Sequence, residues 1–519
     1  MAGPLQSVVI RAPATQGLNL EGEALEGNPR FARKATNHVY DSSGRIAARK
    51  GITKLTTTAL TGTPDIEQVF MYQHSGGDIP IVAATVSTVK QLYDASTVST
   101  TYDTLTSKIG ALTPTGNNWQ FVNFDDKCIG VQAGNSMIVK TTTGNWAAAT
   151  ATTGDVPTGN CVASAFGRLW VQKGNTGTNK GVINYSALLD HTHIGESSTG
   201  GGFLDPGKWA GISGHGYGEI TAIQPFDDKL VVFFDNQIIV YGSPQVPNDM
   251  FIETVISGVG CLYRDSVQQV GDDLIFFDRT GLRSLRRSVE DGNFPMRDLS
   301  HRVRSELIAT AAAATAGTVR SVFDPEEGFY ILKAGSVAWC FDFSTLLEDQ
   351  TPKVTKWDVP TWTAWYYHEG ETYLGAKGYL GKYAGYTDNG STYVCEWRSV
   401  WSDLDVSTLK ILKKYDAVVI GAGSQSFTLL WSWDFVPSEF TATKTIPGGT
   451  TLAEWTATAG GSEWGIAEWG ATAFDLTKLK HNASGFGETI SFGTSVVING
   501  QAFSIEQLSM YFKSGREAR

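Results

Sequence analysis

Between Gly218 and Arg287 the sequence states one phrase twice. The first copy runs Ile223-Gln-Pro-Phe226-Asp227-Asp228-Lys229-Leu230-Val-Val-Phe233 and closes on Val240-Tyr241-Gly242. The second runs from Val267 through Gly271-Asp272-Asp273-Leu274-Ile-Phe276-Phe277 and closes on Gly281-Leu282 to Leu285. Each copy is a strand, a Gly/Asp turn, a strand of Val, Ile and Phe, a second turn and a third strand, which is an antiparallel meander. A lone meander has nothing to bury its apolar side chains against, so the phrase demands further copies stacked beside it. Five more starts are legible, giving seven at 66, 118, 161, 219, 267, 319 and 363, at intervals of 43 to 58 residues. That interval suits a four-stranded blade plus loops, so residues 61–386 are expected to form a β-propeller of about seven blades.

The regions outside the repeat read differently. Residues 1–60 show little periodicity and suggest an extended N-terminal arm, with Asp41-Ser42-Ser43-Gly44 as a hairpin turn. Such an arm either drapes over the fold or contacts a partner chain. Beyond 387, longer alternating strands at Val394–Trp401, Tyr415–Ile420, Phe427–Trp433, Thr489–Phe492 and Phe503–Phe512 predict a β-sandwich-like domain over 387–519, hinged near Gly385–Ser391. Two insertions break the repeat. Residues 189–218 read as a long loop, and 298–316 as the one inserted helix, capped by Asp298 or Ser300 and ended by Gly317. With 57 Gly, 15 Trp, 18 Tyr and 25 Phe but only 18% charged residues, the fold class is all-β.

A net charge of -11 argues against phosphate binding across the whole surface. The clear charge asymmetry is a basic start, Arg11, Arg30, Arg33, Lys34, Arg45, Arg49 and Lys50. The five cysteines are far apart, with no CxxC pair, and suit buried free thiols formed in a reducing cytoplasm. No apolar run reaches a membrane span, so no stable membrane insertion is expected.

Four clusters invite a chemical reading. The Asp pairs 125/126, 227/228 and 272/273 are better read as turn residues than as calcium ligands or paired acids, since Asp tolerates the left-handed region. Asp190, His191 and His193 lack a fourth metal ligand. Glu454-Trp455, Glu463-Trp464 and Glu468-Trp469 supply the carboxylates and aromatic platforms a glycosidase needs, yet their Gly- and Thr-rich setting equally suits strands with Trp packed on one face. There is no Gly-x-Ser-x-Gly elbow, phosphate-cradling loop or dinucleotide fingerprint. The expectation is a protein that is not an enzyme and needs no cofactor.

A family resemblance rests on Ala12-Pro13 to Gly17-Leu18-Asn19, then Asn37, Gly44, Arg49 and Gly51. It continues through Phe166-Gly167-Arg168-Leu169-Trp170-Val171 with Tyr185-Ser186, Phe226 to Gly242, and Gly258-Val-Gly260-Cys261 to Gly281-Leu282, and more loosely through Phe503-Ser-Ile505 to Gly515-Arg516. In this order the chain resembles the tail nozzle proteins of short-tailed bacteriophages, which include the packaged-DNA stabilisation and tubular tail proteins. The resemblance implies a structural virion protein, made in the host cytoplasm and built into the tail. Its copies would form a ring, put at six, below the portal and its adaptor, retaining the genome and then conducting its ejection. Implied partners are the adaptor, a tail fibre or tailspike, a plug or needle, and passing double-stranded DNA held without specific binding. The basic arm would then dock on an acidic adaptor. The competing reading is a carbohydrate-binding or glycan-cleaving tail protein, and a weaker one a cellular propeller scaffold.

Overall fold

The structure is a computed structural model that describes residues 5–22, 30–98, 101–195, 200–204, 218–290, 298–404, 408–436, 438–447 and 476–514. The chain divides into two compact units. The propeller unit takes Lys54–Ala338 and Val359–Tyr383, and the sandwich unit takes Met1–Thr53, Trp339–Asp358 and Ala384–Arg519.

The propeller unit follows from the repeated phrase. Its innermost strands are Ile66–Tyr72, Gln120–Phe124, Val162–Ala165, Ile220–Phe226, Gln268–Val270, Arg320–Asp324 and Ala364–His368. They follow one another around a ring in which the last packs beside the first. Leu55 and Thr56, just ahead of the first blade, donate their backbone N–H groups to the Leu380 carbonyl of the last at 2.9 and 3.2 Å, which ties the ring shut. Six of the copies are separate sheets, so the propeller is six-bladed where about seven blades were expected. The remaining copy opens at Arg320 but is not an independent sheet. The chain passes into the sandwich unit at Trp339, within its third strand Val337–Asp342, and that strand goes on to pair with Lys353–Asp358.

The apolar run of the phrase is explained by burial on both faces. Alternate residues of Lys229–Phe234 belong to different cores: Leu230 and Val232 pack with Trp170 and Ile183 of the preceding blade, while Val231 and Phe233 pack with Leu274 and Phe276 of the next. The Phe233 and Phe276 rings lie 5.1 Å apart. Blades are thus joined by interdigitating cores, with no single centre. The acidic turns behave as expected at two places: Asp125 and Asp126 have φ 49 and 54, and Asp227 and Asp228 have φ 48 and 57, the left-handed pair a two-residue hairpin needs. The third turn differs. There Gly271 takes the positive φ, and Asp273 sits on the strand, where its carboxylate accepts a hydrogen bond from the Arg286 N–H.

In the sandwich unit, one sheet carries Phe31–Thr36, Tyr393–Ser399, Ile490–Ile498, Ser426–Trp433 and Phe440–Thr445. The other carries Leu476–Asn482, Lys410–Gly421, Phe503–Ser514, Ile46–Ala48 and His38–Tyr40, with Leu5–Arg11 beside Phe503–Ser514. The two pack through Tyr415 on Trp431, Phe427 on Phe503 and Trp433 on Phe512. Among the described residues, 5–22 and 30–53 therefore do not form an extended arm. Leu5–Arg11 pairs along its whole length with residues 507–513, and Phe31–Thr36 pairs with Tyr393–Ser399, because Ile10, Phe31, Ala32 and Ala35 bury their side chains there. Asp41–Gly44 closes the hairpin between His38–Tyr40 and Ile46–Ala48.

The inserted helix is shorter than expected, Arg304–Ala313, with Val303 before it and no side-chain cap. Asp298 and Ser300 have other work. The Asp298 carboxylate accepts both Ser300 donors at 2.7 and 2.8 Å, and Ser300 Oγ accepts the Leu282 N–H, pinning this segment to the fifth blade. The 189–218 insertion is not all loop, since Asp190–Ile194 and Gly202–Leu204 are strands.

Candidate functional site

The seven basic residues assigned to a docking arm do not form one surface. Arg49 is fully buried. Its guanidinium forks onto Asp388 at 2.9 and 2.7 Å, donates through Nε to Asn37 Oδ1 at 2.9 Å, and lies 4.2 Å from the centre of the Tyr393 ring. Burial opposes its charge, but the Asp388 hydrogen bonds outweigh this and raise its pKa. Arg49 is thus a structural tie and has no free donor for a partner. Arg45 is held between Asp41 and Glu506, and Lys34 pairs with Glu396 at 2.8 Å. Arg33 is exposed beside the Trp401 ring, Lys50 is half-buried, and Arg11 and Arg30 are exposed.

Two of the other residues that carry the family resemblance, Asn37 and Gly51, lie beside Arg49 or its partner strand. Asn37 sits at φ 59, the left-handed region Asn tolerates, and its carbonyl accepts the Arg49 N–H while its side chain bonds to the Val394 carbonyl. A Cβ on Gly51 would stand 2.1 Å from the Thr387 carbonyl oxygen, and one on Gly17, at φ +83, 2.7 Å from the Val354 nitrogen. A second group forms in the third blade. Arg168 donates to the carbonyls of Ser186 and Gly200 at 2.7 and 2.6 Å, and Ser186 Oγ accepts the Leu169 N–H. These are positions where the backbone path, not chemistry at a surface, dictates the residue.

At the centre of the propeller unit lies a polar cluster that the sequence did not reveal. Arg264 donates to Asn160 Oδ1 at 2.6 Å, to Asn118 Oδ1 at 2.9 Å and to the Trp119 carbonyl at 3.1 Å, and it forks onto Asp265 at 2.7 and 3.0 Å. Arg320 bonds Asp265 at 2.8 Å, Asn118 at 3.2 Å and Gln68 Oε1. Burial works against the Asp265 charge, but Arg264 and Arg320 hold its carboxyl below the usual range. Asn118 and Asn160 open the second and third blades while Arg264 opens the fifth and Arg320 the copy after it, so the bonds between them cross the axis and close it.

Other clusters offer little chemistry. His193 bonds Asp190 at 2.6 Å. Burial opposes the Asp190 charge, yet the two Thr192 hydrogen bonds, then His193, draw its carboxyl down to about 2. Asp78, His368 and Glu369 bring three possible metal-binding atoms within 4.8 Å, but His368 Nε2 is already hydrogen-bonded to the Asp78 carboxylate at 2.7 Å. All five cysteines are free and buried. The sandwich unit bears an open cleft of about 210 Å³ lined by Trp433, Val436, Ser438, Phe440, Gly485 and Phe486, below the roughly 300 Å³ at which small-molecule sites begin. The Trp433 indole N–H finds no partner among the described residues. The Glu/Trp pairs at 454/455, 463/464 and 468/469 lie outside the described residues.

The all-β chain, 54% strand, with its propeller and one longer helix, defines a propeller protein. No family model and no curated protein matches the sequence. Among solved structures it is similar to the WD40 domain of Neurospora crassa Pan2 (8% identity, TM-score 0.36, covering 64% of this chain and 96% of that one). The C-terminal WD40 domain of Sif2 gives 10% identity and a TM-score of 0.37, covering 64% and 98%. PorZ, a surface component of the type-IX secretion system of Porphyromonas gingivalis, gives 12% and 0.34, covering 63% of this chain. The chain spans only 37% of PorZ. At these identities and scores nothing follows about activity or partners.

Proposed function

We propose that this chain is a structural protein of a short phage tail, forming the nozzle ring attached below the portal–adaptor complex, through which the genome is retained and ejected. The observation that carries the reading is where the family-like residues fall: Asn37, Arg49 and Gly51 tie one knot, Arg168 with Ser186 ties another, and Gly17 sits where a Cβ would meet the Val354 backbone. A resemblance confined to such positions is a resemblance of architecture, which suits a protein whose work is to be a rigid part. The closed propeller axis fits a building block and leaves any duct to run between copies. In such a ring, interfaces repeat head to tail and close only with complementary patches. Mass in solution, with and without a portal–adaptor complex, followed by negative-stain images, tests this. A ring of about six copies assembling on the adaptor is expected, and a monomer indifferent to it overturns the reading.

A carbohydrate-binding tail protein is the second reading, favoured by the cleft that Trp433, Phe440 and the exposed Phe486 line. Glycan-array binding lost in Trp433→Ala supports it, and no binding to any glycan removes it.

A further inference from the structure

In the sandwich unit, the outer face of the sheet built on Lys410–Gly421 gathers positive charge from sequence positions as much as 500 residues apart. Registers fix which residues share it. Leu479, Ala417, Leu508 and Ile10 are buried, so their neighbours in each strand point the other way. One row across four strands is Lys478, Val418, Gln507 and Arg11, the next is Lys480, Asp416, Ser509 and Val9, and a third is Asn482, Lys414, Tyr511 and Ser7. Lys513 follows on the same face, and Lys444 reaches over from the other sheet to the Lys480 carbonyl. The acid in these rows, Asp416, is 1% exposed beneath Lys414 at 2.7 Å and Lys478 at 3.8 Å. Glu506, beside the bulge in Phe503–Ser514, is held by Arg45. A chain of net charge -11 thus presents one cationic face.

We propose that this face binds the phosphate backbone of double-stranded DNA without sequence preference. Lys478 and Lys480 stand two residues apart, about 6.8 Å on an extended strand, which is the axial rise of two nucleotides of duplex. The neutral members that are not buried, Asn482, Gln507 and Tyr511, are side-chain types that hydrogen-bond phosphate oxygens. A protein partner fits less well, because Lys is depleted at the centres of protein interfaces. The exposed apolar residues Leu5, Val9 and Leu476 lie on the two edge strands of this face, not at its middle. The proposal stands on this charge geometry and does not depend on the nozzle reading.

The test is fluorescence anisotropy of the full chain with a 30-base-pair duplex from low to physiological salt. Four neutralised phosphates give a log–log salt slope of about -3.6, at roughly 0.9 each. The expected result is that K478Q/K480Q reduces the slope by about 2. R279Q/R286Q, which removes two exposed charges from the propeller unit, should leave the slope unchanged. Circular dichroism melts matching the wild type show that both variants fold. No binding at low salt overturns the proposal, as does equal weakening by both variants. Binding to anionic vesicles or to an acidic protein but not to DNA overturns it in favour of that partner. Ring assembly on an adaptor is scored separately, so either idea can fail alone.

Discussion

Arg49 offers a decisive perturbation, because sequence and structure assign it opposite roles. As a docking residue its replacement would cost partner binding and leave the fold intact. As the centre of a buried knot, its replacement costs stability first. Removing one partner of a buried ion pair costs about 3–5 kcal/mol. Asp388 keeps 17% of its side chain exposed and so recovers some solvation, which places Arg49→Met near the lower end, at about 3 kcal/mol. Arg49→Lys keeps the charge but cannot hold Asn37 and both Asp388 oxygens together, and a charged hydrogen bond is worth about 1.5–3 kcal/mol, so a loss of about 2 kcal/mol is expected. The pair Arg49→Met/Asp388→Asn removes both charges. It should fall short of the sum of its single variants by about 1 kcal/mol or more. Urea unfolding gives the magnitudes, and hydrogen exchange localises them: residues 31–40 and 390–399 should lose protection in both single variants, because Asn37 bonds the Val394 carbonyl and accepts from Arg49. Arg49→Lys with a wild-type urea midpoint and unchanged protection refutes the argument.

Two further outcomes follow. Burial pushes the His38 imidazole down to about 4, against smaller upward pulls from the Ala47 carbonyl and Glu396, and its Nε2 has no partner among the described residues. The folded value lies below the ordinary 6.5, so this contribution is complete above about pH 6.5 and is lost as pH falls towards 4. It amounts to about 3 kcal/mol at 1.36 kcal/mol per unit. The stability difference between wild type and His38→Gln should shrink by that amount between pH 7 and pH 4, and a constant difference refutes it. Arg264→Met strands Asn118, Asn160 and the Trp119 carbonyl and should cost the propeller unit about 3–5 kcal/mol in urea unfolding; a loss under about 1 kcal/mol would mean a solvated axis.

The sequence showed the propeller because its signal is local and repeated. Leu230-Val231-Val232-Phe233 between Asp turns is one blade's middle strand, buried on both faces, and each blade restates it. The sandwich was legible only in its C-terminal half, where Lys410–Gly421 and Phe503–Ser514 are twelve-residue strands. Its N-terminal strands are short, and their partners lie hundreds of residues away: Arg11 faces Gln507 and Thr36 faces Glu396. No window on the sequence contains both members of such a pair, so the lack of periodicity in residues 1–60 suggested an arm. The same gap hid both polar assemblies. Arg264 and Arg320 look like ordinary turn and strand cations until the ring brings Arg320 to Asp265 and Arg264 to Asn118 and Asn160. Arg11 falls in with Lys478 and Lys480 only through two intervening strands.

The closed axis narrows what a nozzle made of this chain can be. Propellers that carry ligands through their middle need an open channel, whereas here Arg264 and Arg320, held by Asp265, bond across it to Gln68, Asn118 and Asn160. Charged groups held that tightly resist rearrangement, since each bond broken strands a buried partner. A duplex about 20 Å wide would therefore have to pass between copies, along surfaces the propeller leaves outside. A cationic sheet face lining such a passage would slow the duplex without holding it, because non-specific phosphate contacts are individually weak at physiological salt, with Kd of roughly 10⁻⁴–10⁻⁶ M. The same face turned outward would take these cations out of the passage and leave the duplex free to slide. Ejection measured against salt separates the two: a rate that rises with added salt in the wild type, but not in K478Q/K480Q, places the face in the passage, and identical salt curves remove it.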